Sequence, residues 1–247
     1  MKQLLAILLL ISCGVKQPLP SNTHDKIDIN YSYKLDENDG DYMLRAGQMC
    51  FAHNVYYCSQ IKSLQDSSGR IWRSKSRIGI EVLNTSSRDM LLGFLMYVQE
   101  TRDIAALDRL ISYIKDNNFQ LCPSSSDNRC FVTPQMYDLM RLLKGKKTIF
   151  NSYVIEALTS DTGYTLYLIG LKLLIHIRAD NWYSGFQETV EILYEREKCN
   201  PLFAYLAGAK VNFRKPVESD RWLMEKSCEE AAEYDSASWS FLKEFIQ

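Results

Sequence analysis

Apolar residues recur three and four positions apart along most of the chain, the spacing that lines one face of a helix. Read this way, the pattern predicts helices over about 42–65, 87–100, 103–117, 134–143, 149–159, 162–179, 184–196, 201–207 and parts of 218–245. No run alternates apolar and polar residues as a half-buried strand would. The expected fold class is therefore all-α, built from antiparallel helical hairpins. Punctuation falls between the periodic stretches: Ser67-Ser68-Gly69, Asn117-Asn118, Thr133-Pro134, Lys144-Gly145, Asp161-Thr162-Gly163 and Asn200-Pro201. No internal repeat of fixed period is present.

The first residues follow a different pattern. Lys2 precedes an apolar run from Leu4 to Leu10 that is too short to span a bilayer, which is the layout of a removable export signal. Leu10-Ile11-Ser12-Cys13 resembles the lipobox of bacterial lipoproteins. The resemblance implies cleavage before Cys13, diacylglycerol on its sulfur and an acylated (palmitate-type) new N-terminus, enough chains for stable attachment. Gly14 follows the cysteine instead of Asp, which in a Gram-negative cell implies the outer membrane. From Val15 to about Asp41 the chain carries Pro18, Pro20 and the acidic residues Asp36, Glu37, Asp39 and Asp41, with little periodic apolar content. The domain reading is thus a signal over 1–12, a lipidated cysteine and tether over 13–41, and one all-α domain over 42–247.

Besides Cys13 there are six cysteines, Cys50, Cys58, Cys122, Cys130, Cys199 and Cys228, an even number suited to disulfides outside the cytoplasm. Cys122 and Cys130 bracket a turn-rich loop and are expected to pair with each other. In one straight helix Cys50 and Cys58 would stand about 12 Å apart along the axis, so they pair only if the helix breaks near His53-Asn54. Cys199 with Cys228 is then the remaining bond, and crosswise connections among these four stay open. No spacing matches a zinc site, and His53 has no third ligand nearby, so neither a metal nor a cofactor is expected.

Formal charge nearly cancels, at −1, and the Lys144, Lys146, Lys147 cluster is the longest basic tract, which argues against nucleic acid as a partner. The 15 tyrosines suit either a packed helical core or a groove that stacks on sugar rings. No Gly-x-Ser-x-Gly elbow, phosphate loop or dinucleotide fingerprint occurs.

The most distinctive stretch is the basic and aromatic loop Gly69-Arg70-Ile71-Trp72-Arg73-Ser74-Lys75-Ser76-Arg77, which leads through Asn84-Thr85-Ser86 into Ser87-Arg88-Asp89-Met90-Leu91-Leu92-Gly93. This Trp-Arg-Ser loop followed by a Ser-Arg-Asp-Met-x-x-Gly helix start resembles an uncharacterised group of exported bacterial proteins. Asn200-Pro201-Leu202-Phe203 and Arg221-Trp222 with Glu225-Lys226 fit the same pattern. More loosely, the segment is similar to α/α-toroid proteins that process glycans, in which an Arg-Asp pair at a helix start faces the central cavity. That likeness implies a partial toroid-like array and a glycan ligand held by Trp72, Arg73, Arg77 and Trp222, with Arg88, Asp89 and Glu225 as the chemical groups.

Each candidate also has a structural reading. Hydrolysis of a glycoside needs two carboxyl groups across one cleft, Asp89 with Glu225 or Asp220. Elimination needs cations such as Arg73, Arg77 and Arg88 beside a base such as Tyr164, Tyr167 or His176. Against this, Ser86 as N-cap would put Asp89 at the third helical position, where a carboxylate meets the positive helix end. Trp72 and Trp222 read as anchors, His176 as a hydrogen-bonded core residue, and Glu195-Arg196-Glu197-Lys198 as a solvated face. A deep polar pocket containing Arg88, Asp89 and a second carboxylate would favour a glycan ligand; an exposed apolar patch would favour an envelope protein partner.

The leader yields the first prediction. Mass spectrometry of membrane-extracted protein is expected to find a diacylated and acylated Cys13 as the first residue, and Cys13→Ser is expected to move the protein into the soluble fraction. An unmodified N-terminus beyond Cys13 would refute the anchor.

Overall fold

In the computed structural model, residues 35–38, 40–80, 86–123, 128–149, 153–198, 200–209, 241 and 245 are described. Among them are nine α-helices and no sheet: α1 (Tyr42–Phe51), α2 (Val55–Ser63), α3 (Arg88–Thr101), α4 (Ile104–Asp116), α5 (Pro134–Leu143), α6 (Val154–Thr159), α7 (Gly163–Arg178), α8 (Phe186–Arg196) and α9 (Pro201–Leu206). The leader, Cys13, Cys199, Asp220, Trp222, Glu225 and Cys228 lie outside the described residues.

Three helices form the centre. All of α1 but Arg45 is buried, as are Met90 to Gln99 of α3 and most of α7, so these helices are covered on nearly every side by the others. α2 packs on α1 and α3, α4 and α5 on α3, and α6, α8 and α9 on α7 or on one another. A toroid-like closure is not shown by these packings. Phe245 stacks on Phe51 with ring centroids 5.5 Å apart, which brings the end of the chain onto the end of α1.

The punctuation acts through named hydrogen bonds. Thr133 Oγ1 accepts from the Met136 N–H ahead of Pro134, Thr162 Oγ1 from Thr165, and Asn200 Oδ1 from Leu202 ahead of Pro201. Each satisfies one of the N–H groups left open at a helix start.

The continuous helix expected over 42–65 is two helices. α1 ends at Phe51, His53 takes φ 68°, and α2 begins at Val55, which folds Cys58 back onto Cys50. The two form a disulfide with Cα atoms 4.7 Å apart, and Cys122 with Cys130 forms a second, 5.5 Å apart, as the loop between them suggested.

The solvated-face reading of residues 195–198 needs one correction. Glu197 is buried, and Asn200 Nδ2 donates to its Oε2 at 3.0 Å; burial raises its carboxyl above the usual range. Arg196 donates to the carbonyls of Ala157 and Ser160, both at 2.5 Å, and so closes the C-terminal end of α6.

α1 and α3 cross where Gly47 faces Gly93. A methyl group added at Gly47 would sit 2.2 Å from the Gly93 carbonyl oxygen, and one at Gly93 would sit 2.3 Å from the Met43 carbonyl oxygen. Backbone has no rotamer to escape into. Gly93→Ala is therefore expected to destabilise the protein by about 3 kcal/mol, the upper part of the usual range for overpacking. The check is a lower denaturant midpoint at unchanged slope, and a midpoint within error of the parent would refute the crossing.

Candidate functional site

The N-terminal turn of α3 opens into a cavity of about 840 Å³. Its charged lining comes from six parts of the chain: Asp41 before α1, Arg73 in the basic loop, Arg88 and Asp89 on α3, Arg129 beside the second disulfide, Glu156 on α6 and Lys172 on α7. Tyr164, Thr165, Ser87, Thr133 and Gln135 add polar groups, and Leu92, Met136, Ile155 and Leu168 add apolar ones. This mixture of apolar wall and convergent polar groups is typical of small-ligand pockets.

Asp89 organises one side. The N-cap of α3 is Ser87, one residue later than Ser86, so Asp89 occupies the second helical position. Its Oδ1 accepts from the Ser87 hydroxyl and from the Met90 N–H at 3.1 Å, and its Oδ2 accepts from the Tyr164 hydroxyl at 2.7 Å. Burial, followed by the nearby Asp89 charge, raises the Tyr164 phenol far above its ordinary range, so its proton stays in place. Arg73 Nη2 donates to Ser87 Oγ at 3.0 Å, which connects the basic loop to the same turn. Arg88 is exposed, and its side chain makes no hydrogen bond or ion pair with the described residues.

Lys172 and Glu156 face the other side. Lys172 Nζ donates to Glu156 Oε1 at 2.6 Å, with the lysine side chain 9% exposed and the glutamate 34%. Burial lowers the lysine's pKa and the glutamate opposes that shift. The signal for Lys172 was a lone cation inside the apolar run from Leu166 to Ile177. Asp41, Arg129 and Glu156 gave no comparable signal, because only folding brings their segments together.

The second disulfide ties the cavity to its loop. The Ser86 carbonyl oxygen, just before the α3 cap, lies 2.9 Å from Cys122 Sγ and 3.4 Å from Cys130 Sγ, and Arg129 is the neighbour of Cys130. The staple thus holds a cavity arginine and the start of α3 against each other.

Of the groups expected from sequence, Arg73, Arg88, Asp89 and Tyr164 meet here, while Trp72 and Arg77 do not line the cavity. Trp72 is buried, its Nε1–H donates to Asp66 Oδ2 at 2.9 Å, and the Arg70 guanidinium stacks on it 4.2 Å from the ring centre. It anchors the loop. Arg77 stands exposed in the short 3-10 turn Lys75–Arg77. Tyr167 is a core residue, and so is His176, whose Nε2 lies 3.2 Å from the Tyr153 hydroxyl and whose Nδ1 lies 2.9 Å from Asn181 Oδ1. Among the described residues no group of three His, Cys, Asp or Glu is arranged to hold a metal, and no helix is long and apolar enough to cross a membrane.

No family model, curated protein or solved structure matches the chain.

His176 generates a pH prediction. Burial holds its pKa below the ordinary 6.5 despite the Asn181 hydrogen bond, so as pH falls through 6.5 the unfolded chain takes up a proton before the folded one. Stability is expected to be full above 6.5 and to decline as pH drops from there toward the lowered value. His176→Asn should flatten that part of a denaturant-midpoint profile taken from pH 7.5 to 5; an unchanged slope would show that other groups set it.

Proposed function

We propose that this is a lipid-anchored cell-envelope protein, held through Cys13 outside the cytoplasm, that binds a glycan in the cavity at the start of α3. The observation that carries the reading is the meeting of Arg73, Arg88 and Asp89 with Tyr164 and a second carboxylate, Glu156, in one polar pocket with an apolar wall. Sugars present many hydroxyls around apolar ring faces, and such a lining answers both. The anchor and the tether over 13–41 would let the domain reach polymer beyond the membrane surface.

Recognition fits the cavity better than hydrolysis or elimination. Both faces of Asp89 already accept hydrogen bonds within the protein, and Glu156 is engaged by Lys172. Of the three bases considered for elimination, Tyr164 donates to Asp89, and Tyr167 and His176 lie in the core away from the cavity lining. An alternative role, contact with another envelope protein and no chemistry, draws support from α6, which exposes Ile155 and Leu158 one turn apart, with Ile149 exposed before it.

The test is retention of the intact protein on immobilised neutral polymers, polyuronates and peptidoglycan, with new reducing ends and unsaturated-sugar absorbance measured alongside. Retention on at least one polymer is expected, weakened about tenfold or more in a folded Asp89→Ala protein that has lost the organising carboxylate. No retention on any polymer would move the function to the protein-contact role; sugar cleavage that Asp89→Ala abolishes would make the protein an enzyme.

A further inference from the structure

The apolar side of the cavity does not end inside it. Leu92 and Met136 of its wall are buried, Leu168 is half-buried, and Ile155 is 73% exposed at the rim. From Ile155 the same surface continues along α6, because Leu158 follows one turn later and is exposed as well. Ile149, also exposed, lies close by: its N–H donates to Asp138 Oδ2 at 2.7 Å, one turn along α5 from Gln135 of the lining. Polar contacts and packing hold this ridge from its other sides. Arg196 closes the carbonyls of Ala157 and Ser160, Glu156 engages Lys172, and Ala157 is buried. An exposed apolar ridge that is fixed in this way and continuous with a cavity belongs to the cavity's binding surface.

The chemistry of the wall selects what lies on it. Among the described lining residues Tyr164 alone is aromatic, so the apolar wall is aliphatic and offers little of the flat ring face that stacks on sugars. A sugar laid over Ile155 and Leu158 would press hydroxyls against side chains that cannot bond them, which costs free energy. A hydrocarbon filling the whole cavity would cover Asp89, Gln135 and Thr165 without returning a hydrogen bond. A ligand with a sugar at one end and a hydrocarbon chain at the other answers both sides.

Resting on the glycan reading, we infer that the ligand is a lipid-linked glycan whose sugar sits against Asp89 and Tyr164 and whose hydrocarbon chain leaves the cavity over Ile155 and Leu158. Each methylene that the chain buries multiplies affinity about fourfold, so two covered methylenes give about tenfold or more. Ile155 and Leu158 are the specificity determinants for the chain. Their removal subtracts the preference for a chain and leaves the sugar contacts on α3 and α7 in place.

The experiment is calorimetric titration of the full-length protein in phosphatidylcholine nanodiscs, with empty discs subtracted, or in buffer if Cys13 proves unmodified. The probes are the methyl and octyl glycosides of glucose, galacturonic acid and N-acetylglucosamine, below micelle formation, and octanol. The double substitution Ile155→Ser, Leu158→Ser is compared with Val55→Ser, an exposed position on α2 outside the cavity lining, and thermal melting verifies that both proteins fold. In at least one pair the octyl glycoside is expected to bind about tenfold or more tighter than the methyl one, with the preference lost in the double variant and kept in Val55→Ser. Equal binding of methyl and octyl forms overturns the chain inference and leaves the glycan reading intact, as does a preference that survives the double substitution. No binding of any glycoside, while a polymer retains the protein, likewise overturns only the inference. Octanol binding as tightly as the octyl glycosides, or no glycoside binding together with no retention on any polymer, overturns both.

Discussion

The close crossing of α1 and α3 at Gly47 and Gly93 is the contact on which the rest depends. Two helices usually stand 8–10 Å apart because side chains separate them, and paired glycines remove that spacer. Here the missing side chains let backbone meet backbone, with each glycine pressed against a carbonyl of the other helix or its neighbour. The first turn of α1 is tied to the basic loop, where the Met43 N–H donates to the Arg73 carbonyl at 3.0 Å, so the crossing sets α3 beside that loop. The same seating allows Arg73 to reach Ser87 and Tyr164 of α7 to reach Asp89. A change at the crossing would therefore be felt at the cavity, although neither glycine lines it.

Charge is handled differently on the two sides of the cavity. At α3 a carboxylate is stabilised by neutral donors, the hydroxyls of Ser87 and Tyr164 and a backbone N–H, so its charge is solvated by the protein instead of cancelled. At α7 the nearly buried Lys172 is cancelled by Glu156, since an isolated ammonium in that setting would be far costlier than the pair. The desolvation of such a pair offsets much of its attraction, so the pair adds little net stability while it fixes both side chains at the cavity wall.

The two disulfides lie toward opposite ends of α3, one at the reversal whose His53 meets Glu100 and the other against Ser86. Cys50–Cys58 bonds the end of α1 to α2 across the reversal at His53, and Cys122–Cys130 closes the loop that carries Arg129 and rests on the Ser86 carbonyl. Both loops are short in sequence, so their effect on the unfolded chain is modest compared with what they hold in register.

Local signals along the chain determined the helices, because apolar periodicity and caps act within a few residues: Thr133-Pro134, Thr162-Gly163 and Asn200-Pro201 mark helix starts that the structure keeps. The same locality made the Cys122–Cys130 bond legible, since a turn-rich loop already brings its ends together. Half of the candidate site was legible too, as Arg73, Arg88 and Asp89 sit close in sequence in a polar stretch ahead of an apolar helix. The tertiary structure alone decided that α1 and α2 part at His53, where a single positive φ outweighs a continuous apolar pattern. It also decided that Trp72 turns inward to Asp66 while Arg73 turns toward the cavity, and that Asp41, Arg129, Glu156 and Lys172 join it. Those choices depend on contacts between residues tens of positions apart, and periodicity carries no record of which distant face a side chain will meet.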